Sequence, residues 1–516
     1  MRNWLIVAFA VSSLFACSKP TDPAKADYWL DKLENKHERV DAIKELGKIG
    51  DKVAAPELVK LLNTEGDWQP EAAYSLGQLN DPSVIPDLVK AIDYSVGPGN
   101  DKKTRTRNRT NANICKALGM LKAKDAAKDI LKLKDSSEPT VREAAIRGLG
   151  QINNPDATPV LMDIALNDRE PYLRKVAIEA LGDMADPRGI PTLVKALFVE
   201  VPGISFYNEA RLSLIQMGLA TVPALVSTMK HENKEVEKIT FSDGRGLGEG
   251  TVEGKTSSVL GYLKAKEAEG MMVEALEKLW KQFKARDDSK PLFASVPGAI
   301  IEITYALGNL GTPAAVKAVL PVALDPEQVT RVPATEALTQ IGDRSVVKPL
   351  MESLKKGGSL DARRAVLVAV TRLGEGDDLE AYDALGKLGD KDVPREYMAQ
   401  MVGEERARLV AAKTCKKDVT CWRQMLTDPD ARVRDKAAWE LGWIGAKEVL
   451  DDLLKAAKDA DPTVRMAGVL SMRRVNDADL TKLWPLYEEW TKKLDYQGAN
   501  LELRRYIAFL QSQKKK

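Results

Sequence analysis

Two histidines, four cysteines and one short basic run are the residues of this 516-residue chain with evident chemical capacity. Each histidine precedes a glutamate, at His37-Glu38 and His231-Glu232, and imidazole beside carboxylate is a pairing that metals use. The two pairs are not equivalent: His37 falls on the first helix of a helical pair and His231 after the second helix of another. They read as surface histidines, and no metal is expected. Cys415 and Cys421 flank a five-residue loop before Trp422. Two thiols without a neighbouring histidine make half a metal site, and redox-active pairs are more often spaced by two residues. Lys102, Lys103, Arg105, Arg107 and Arg109 place five positive charges in eight residues. Such a run can grip an acidic partner, or an anionic lipid or sugar, and can equally be a solvated loop. Gly254-Lys255-Thr256 has the end of a phosphate loop, but Glu249 stands where its first glycine is needed and no strand precedes it. No nucleotide is expected. With no nucleophile motif and no carboxylate pair to single out, no catalytic residue is named and the chain is not expected to be an enzyme.

These residues must be held by a repeating helical frame, seen most plainly over residues 138–197. Glu138-Pro139-Thr140-Val141-Arg142, then Leu149-Gly150 and Pro159, recurs as Glu170-Pro171-Tyr172-Leu173-Arg174, Leu181-Gly182 and Pro191, each landmark displaced by 32 residues. A period of that size with helical patterning predicts a stacked array of helix pairs. The Leu-Gly landmark returns at Leu46-Gly47, Leu76-Gly77, Leu118-Gly119, Leu260-Gly261, Leu307-Gly308 and Leu441-Gly442. Its glycine suits either a helix cap or a close backbone approach between units. Proline nine residues later opens a second helix, where its missing N–H costs nothing. About thirteen units fit between residues 28 and 494. The weakest, 389–426, is expected to hold one long helix from Val393 to about Thr414. Residues 495–516 read as a capping helix and basic tail, with Arg504 and Arg505 on its wet side.

Arginine recurs eight residues before the glycine register, at Arg39, Arg142, Arg174, Arg331, Arg363, Arg434 and Arg465, often after an acid-Pro pair such as Asp428-Pro429 or Asp461-Pro462. This pattern resembles the HEAT-repeat family, including its bilin-lyase-like subgroup, across almost the whole of residues 28–494. The resemblance implies an all-α solenoid in which acid and arginine form a structural ladder between neighbouring units. It also raises two enzymatic alternatives, a lyase and a metal-dependent hydroxylase. The HEAT-like di-iron hydroxylases use four His-Glu dipeptides at equivalent positions, whereas this chain has two. Kinship of fold does not confer activity.

The N-terminus adds an address. Arg2 precedes a largely apolar run ending in Leu14-Phe15-Ala16-Cys17, too short to span a bilayer and patterned like a secretory signal over 1–16. Its end resembles the lipobox of bacterial lipoproteins, which implies lipid attachment at Cys17, with 17–27 as a tether. Ser18 follows the cysteine, and the resemblance then implies outer-membrane sorting. In an exported chain, Cys415 and Cys421 are expected to form a structural disulfide. Cys115 reads as a small buried core residue.

Composition closes other routes. The 77 basic residues against 75 acidic leave no excess for phosphate, so nucleic acid is not an expected partner. The period lengthens near 94–113, 236–257 and 281–298, where inserted loops are expected, the second as a small hairpin. The expectation from sequence is a non-catalytic, membrane-anchored periplasmic scaffold that binds protein partners without a cofactor. A self-associating structural component of the envelope is the remaining alternative.

Overall fold

Several repeats turn their corners by the same local chemistry. The helix Arg39–Ile49 ends on Gly50, whose φ of 74° is left-handed. Asp51 then accepts a hydrogen bond from the Val53 amide and sets a single 3₁₀ turn. The second helix, Ala55–Leu62, follows with Pro56 in its first turn. The same order recurs at Pro139–Ile152, Asn153 (φ 55°), the Asn154 cap and the turn Pro155–Ala157, and again at Gln328–Ile341, Gly342 (φ 80°), the Asp343 cap and the turn Arg344–Val346. An Asx cap satisfies a donor that the corner would otherwise leave open, and the left-handed residue reverses the chain without a longer loop.

In this computed structural model the described residues are 22–241, 243–287, 295–445, 447–475, 480–492 and 497–514. The signal segment 1–16 and Cys17 lie outside them. The architecture is an all-α solenoid of helix pairs. Among the described residues the extended structure is slight: a hairpin of β1 (Glu200–Val201) and β2 (Ile204–Ser205), and a bridge between Thr240 and Gly246.

The chain forms two compact units, parted between Leu161 and Met162. The first helices of the pairs in unit 1 are α1 (Arg39–Ile49), α2 (Gln69–Gln78), α3 (Lys102–Met120) and α4 (Pro139–Ile152). In unit 2 they are α5 (Pro171–Met184), α6 (Tyr207–Met217), α7 (Thr251–Tyr262), α8 (Ser295–Leu310), α9 (Gln328–Ile341) and α10 (Leu360–Leu373). They continue as α11 (Ala407–Cys415), α12 (Ala431–Ile444), α13 (Pro462–Val475) and α14 (Gln497–Lys514). Leu46, Leu76, Leu118 and Leu149 in unit 1, and Leu260, Leu307 and Leu441 in unit 2, are buried completely. Each such side chain contributes roughly 1.5–3 kcal/mol relative to exposure, so the Leu-Gly register is the axis of the core.

The glycine of that register sits inside the helix, not at its cap. A Cβ on Gly77 would lie 2.6 Å from the Ala117 Cα, and one on Gly261 only 2.5 Å from the Ala306 Cα. Both distances are below any real Cβ contact, so glycine is there to let neighbouring first helices touch backbone to backbone.

The recurrent arginines hold backbone carbonyls. Arg39, Arg142, Arg174, Arg434 and Arg465 each donate to the carbonyl six residues earlier, at Leu33, Ser136, Asp168, Asp428 and Asp459, over 2.6–2.9 Å. That carbonyl lies past the end of the preceding repeat's second helix, so the arginine fastens one repeat to the next. Carboxylate rungs occur at Arg363 with Asp390, and at Arg434, which grips Asp459 through Nε (2.7 Å) and Nη2 (2.9 Å). Arg331 donates through Nε to the Ala323 carbonyl at 3.2 Å and also reaches forward to the Gly357 carbonyl and Ser353 Oγ. The acids before the prolines act locally, Asp428 and Asp461 accepting the amides of Asp430 and Thr463 at the helix starts. The sequence expectation of an acid–arginine ladder is thus replaced, at most of these positions, by an arginine–carbonyl one.

The insertions also differ in part from expectation. Residues 102–113 are not loop; they are the front of α3, capped by Asp101, which accepts from the Thr104 amide at 2.9 Å. The second insertion does hold the expected small hairpin, an antiparallel bridge between Thr240 and Gly246 within which the Phe241 amide donates to the Arg245 carbonyl, and α7 begins at Thr251. In the third, Glu269–Lys284 is helical and Pro297 is buried on α8, while 288–294, with Pro291 and Phe293, lie outside the described residues. The long helix expected from Val393 is two, Arg395–Glu405 and α11, broken at Arg406. The apolar stretch Tyr207–Met229, long enough by composition to cross a membrane, is α6 and a second helix, Val222–Met229, joined at Gly218–Thr221.

Candidate functional site

The basic run occupies the first two turns of α3, an unfavourable end of a helix for positive charge. Its side chains face acids from the preceding units. Lys102 pairs with Asp67 at 2.9 Å, Lys103 with Glu65 at 2.6 Å and Arg109 with Glu71 at 2.8 Å. Arg107 pairs with Asp93, whose carboxylate also accepts from the Ser95 hydroxyl at 2.6 Å. Arg105 is exposed. Hydrogen bonds from Lys103 and Lys102 hold Glu65 and Asp67 below the usual carboxylate range. Burial opposes ionisation of Asp93, but Ser95 and Arg107 outweigh it and lower its pKa as well.

Between these residues lies a cleft of about 630 Å³, floored by Ala91, Thr110 and Asn111. Asn111 fixes the floor by a reciprocal pair: its Oδ1 accepts from the Asp93 amide at 2.9 Å and its Nδ2 donates to the Asp93 carbonyl at 2.8 Å. The cleft is therefore rigid below and charged at its rim, with the two signs alternating. The run of cations is not an open anion grip, because acids distant in sequence already face it.

The other sequence candidates are placed as follows. Cys415 and Cys421 form a disulfide with Cα atoms 5.3 Å apart, beside Trp422, whose indole N–H donates to the Lys416 carbonyl at 2.8 Å. Cys115 is a free, fully buried thiol, pushed up to about 12 by burial. Lys255, from the phosphate-loop-like tripeptide, lies within α7 and donates to the Leu197 carbonyl at 2.9 Å. His37 is exposed. His231 faces Glu237 (2.8 Å) and Glu253 (3.4 Å). Among the described residues no group of three or more His, Cys, Asp or Glu side chains is arranged to hold a metal.

Unit 2 contains a second site that the sequence did not signal as one. The last helix, α14, packs against α13 and also against α6, so the row of first helices folds back on itself. Tyr262 on α7 donates to Glu502 on α14 at 3.0 Å, and Arg473 on α13 donates to the same oxygen at 2.7 Å. Arg473 also bonds Asn309 on α8 and lies 4.3 Å from the Tyr262 ring centre. Further along, Arg372 on α10 binds Asp435 on α12 through two 2.8 Å hydrogen bonds, and Arg474 donates to the Gln340 carbonyl at 2.9 Å. Beside these contacts lies a half-open chamber of about 570 Å³ with arginine, glutamate, tyrosine and Trp439 in its wall. Burial works against the charge on Glu502, yet Arg473 and Arg505 more than offset it and hold the carboxyl below its usual range. Arg505, expected on the wet side of a cap, lines the chamber. What the sequence did carry was the uninterrupted apolar run Tyr506-Ile507-Ala508-Phe509-Leu510. A helix apolar on all sides is a buried helix.

The landmarks, corners and stacked first helices agree with one family description. The model for HEAT repeats matches residues 104–182 and 421–493, and that for the PBS lyase HEAT-like repeat matches 38–64, 71–94 and 173–198. The matched segments are HEAT-type repeats. No curated protein sequence matches the chain. Among solved structures, the chain is similar to a phycocyanin lyase complex from Nostoc sp. PCC7120, at 21% identity over 40% of this chain and 81% of that one, with a TM-score of 0.28. Human deoxyhypusine hydroxylase is similar at 20% identity over 57% of this chain and 98% of its own, TM-score 0.23. An importin beta is similar at 11% identity over 94% of this chain and 72% of its own, TM-score 0.47.

Proposed function

We propose that this HEAT-repeat protein is a non-catalytic interaction scaffold, lipid-anchored through Cys17 at the outer membrane and facing the periplasm, with the charged cleft of unit 1 as a contact for a protein partner. The observation that carries this reading is the rim of that cleft. Its ion pairs are exposed: the side chains of Lys102 and Lys103 are 77% and 65% accessible, and those of Asp67 and Glu65 54% and 75%. Exposed pairs of this kind contribute little to stability, so a partner's carboxylates and ammonium groups can replace them at little loss. The Asn111–Asp93 floor beneath stays fixed. A rigid base with exchangeable charges at its edge favours specificity and rapid association over raw affinity. The lipobox-like Leu14-Phe15-Ala16-Cys17 supports the anchored location.

The test is chemical crosslinking in intact cells, followed by purification of the tagged protein. One or two envelope proteins should be recovered from the wild type and lost when Lys102, Lys103, Arg105, Arg107 and Arg109 are all replaced by Gln. Recovery of the protein alone, or of partners indifferent to those replacements, would defeat the reading.

A further inference from the structure

Several cations packed inside unit 2 are met by carboxylates: Arg372 and Arg408 share Asp435, and Lys436 meets Glu440 at 2.7 Å. One pocket is built otherwise. It holds about 330 Å³ where the C-terminal ends of α7, α8 and α9 come beside α13. Lys264, Arg473 and Arg474 line it, and no carboxylate is among its lining residues.

The three cations differ in how far they are committed. Arg473 donates to Glu502 at 2.7 Å and to Asn309. Arg474 donates through Nη1 to the Gln340 and Ile341 carbonyls, at 2.9 and 3.1 Å, so that part of its guanidinium caps α9. It has no carboxylate partner among the described residues. Lys264 is the least committed: among the described residues its ammonium has neither a hydrogen bond nor an ion pair. Both Lys264 and Arg474 are exposed, so a solute can reach them. The packed protein beneath Lys264, and then Arg473, Arg474 and Lys266, push its pKa below the usual lysine range. All three of those neighbours are positive. The carbonyl ends of α8 and α9 contribute about half a negative charge each, and Glu502 one more, which leaves the excess positive. The unpaired Gln340 Oε1 and Trp439 Nε1 are buried behind this wall and are not open to a ligand.

An ammonium from one helix end and guanidinium N–H groups from another helix suit an acceptor whose oxygens point in several directions. A tetrahedral oxyanion has that shape, and these two groups are the ones that hold phosphate. The volume is at the lower end of the range for ligand sites.

We infer that this pocket binds a phosphate group, whose oxygens accept from the Lys264 ammonium and from the part of the Arg474 guanidinium not engaged with α9, while Arg473 adds positive charge from behind. Binding is reversible and involves no covalent step. The phosphate can be the free inorganic ion or a phosphomonoester. The site lies in unit 2, away from the residues of the unit 1 cleft, so the two readings stand or fall independently.

The experiment is phosphorus NMR and isothermal titration on the full chain at physiological ionic strength. Inorganic phosphate and glycerol 3-phosphate are the probes, and acetate and chloride the controls. Phosphate should bind with a Kd of about 1 mM or tighter, and about tenfold or more tighter than acetate. Lys264→Gln should weaken it about tenfold or more, whereas Lys264→Arg, which keeps the charge, should bind nearly as the wild type does. Arg474→Gln should weaken binding too. Because it also removes a cap from α9, circular dichroism checks its fold, and Lys264→Gln, at an exposed position, carries the test if that variant does not fold. Tighter binding of glycerol 3-phosphate than of inorganic phosphate would assign the site to a phosphomonoester, and the reverse to the free ion; either supports the inference. Three outcomes would overturn it: no phosphate bound in the millimolar range, acetate or chloride bound as well as phosphate (an adventitious ion only), or unchanged affinity in Lys264→Gln. Capture of protein partners through the unit 1 cleft should be unaffected by Lys264→Gln.

Discussion

The Tyr262 hydroxyl donates to the Glu502 carboxylate at 3.0 Å, although the two residues are 240 positions apart in the chain. This contact ties the last helix to the early part of unit 2 and borders the chamber between them. Glu502 is largely buried, its side chain 13% accessible, and Arg473 and Arg505 complete its environment. Removing one partner of a buried ionic group leaves the others uncompensated, at about 3–5 kcal/mol.

Glu502→Gln is therefore expected to destabilise unit 2 by about 3 kcal/mol at pH 7, read by urea unfolding followed through tryptophan fluorescence. The pH dependence has a definite sign. Because the folded pKa lies below that of the unfolded chain, about 4.3, the stabilisation is fully present above that value and is lost as pH falls through the lower, folded one. The gap between wild type and variant should be constant from pH 7 to 5 and shrink in more acidic solution. A gap unchanged into the acid would show that the carboxylate is not what the arginines hold.

Gly261→Ala should be severe for a reason unrelated to charge. The new Cβ would lie 2.5 Å from the Ala306 Cα, a backbone atom that cannot step aside. Overpacking of this kind costs about 1–3 kcal/mol, occasionally more. Gly270→Ala is the control, since nothing lies within 4 Å of its would-be Cβ. There, loss of unfolded-state freedom should raise stability by up to about 1 kcal/mol. Thermal unfolding of the two variants should shift in opposite directions.

The Cys415–Cys421 disulfide closes a loop of sequence separation six. In the chain-entropy picture a loop this small contributes ~2 kcal/mol. Replacing Cys421 with Ser should lower the melting temperature of oxidised protein and leave that of reduced protein unchanged. An equal drop in both samples would assign the cost to lost packing near Trp422.

His231 should titrate above the ordinary histidine value. Burial opposes its charge, but Glu237 and Glu253 outweigh that and raise its pKa. Its contribution is fully present below the unfolded pKa, about 6.5, and is lost as pH rises through the folded value. With the side chain half exposed the effect on stability is small, so the measurement is the imidazole NMR midpoint. Glu237→Gln together with Glu253→Gln should bring that midpoint down.

Cys17→Ala should release the protein from membranes while leaving it folded, because lipid attachment is the proposed anchor. Fractionation after a carbonate wash reads the result. Continued retention would remove lipidation at Cys17 from the proposal.

The sequence by itself determined the repeat and its corners. A helix pair is a local object: its Leu-Gly register, its opening proline and its corner caps lie within about thirty residues, and the same order returns unit after unit. The pairing of Cys415 with Cys421 was expected from the exported character of the chain, and their short separation lets the loop close locally. Tertiary structure decided what the landmarks are for. The glycine could have been a cap or a contact, and only the proximity of Ala117 to Gly77 and of Ala306 to Gly261 makes it a contact. The cations of α3 looked like an open charge cluster until the packed helices placed Glu65, Asp67, Glu71 and Asp93 opposite them. The chamber was hidden for the same physical reason. Its walls come from residues hundreds of positions apart, and a period repeated along the chain carries no record of which distant units meet when the row folds back on itself.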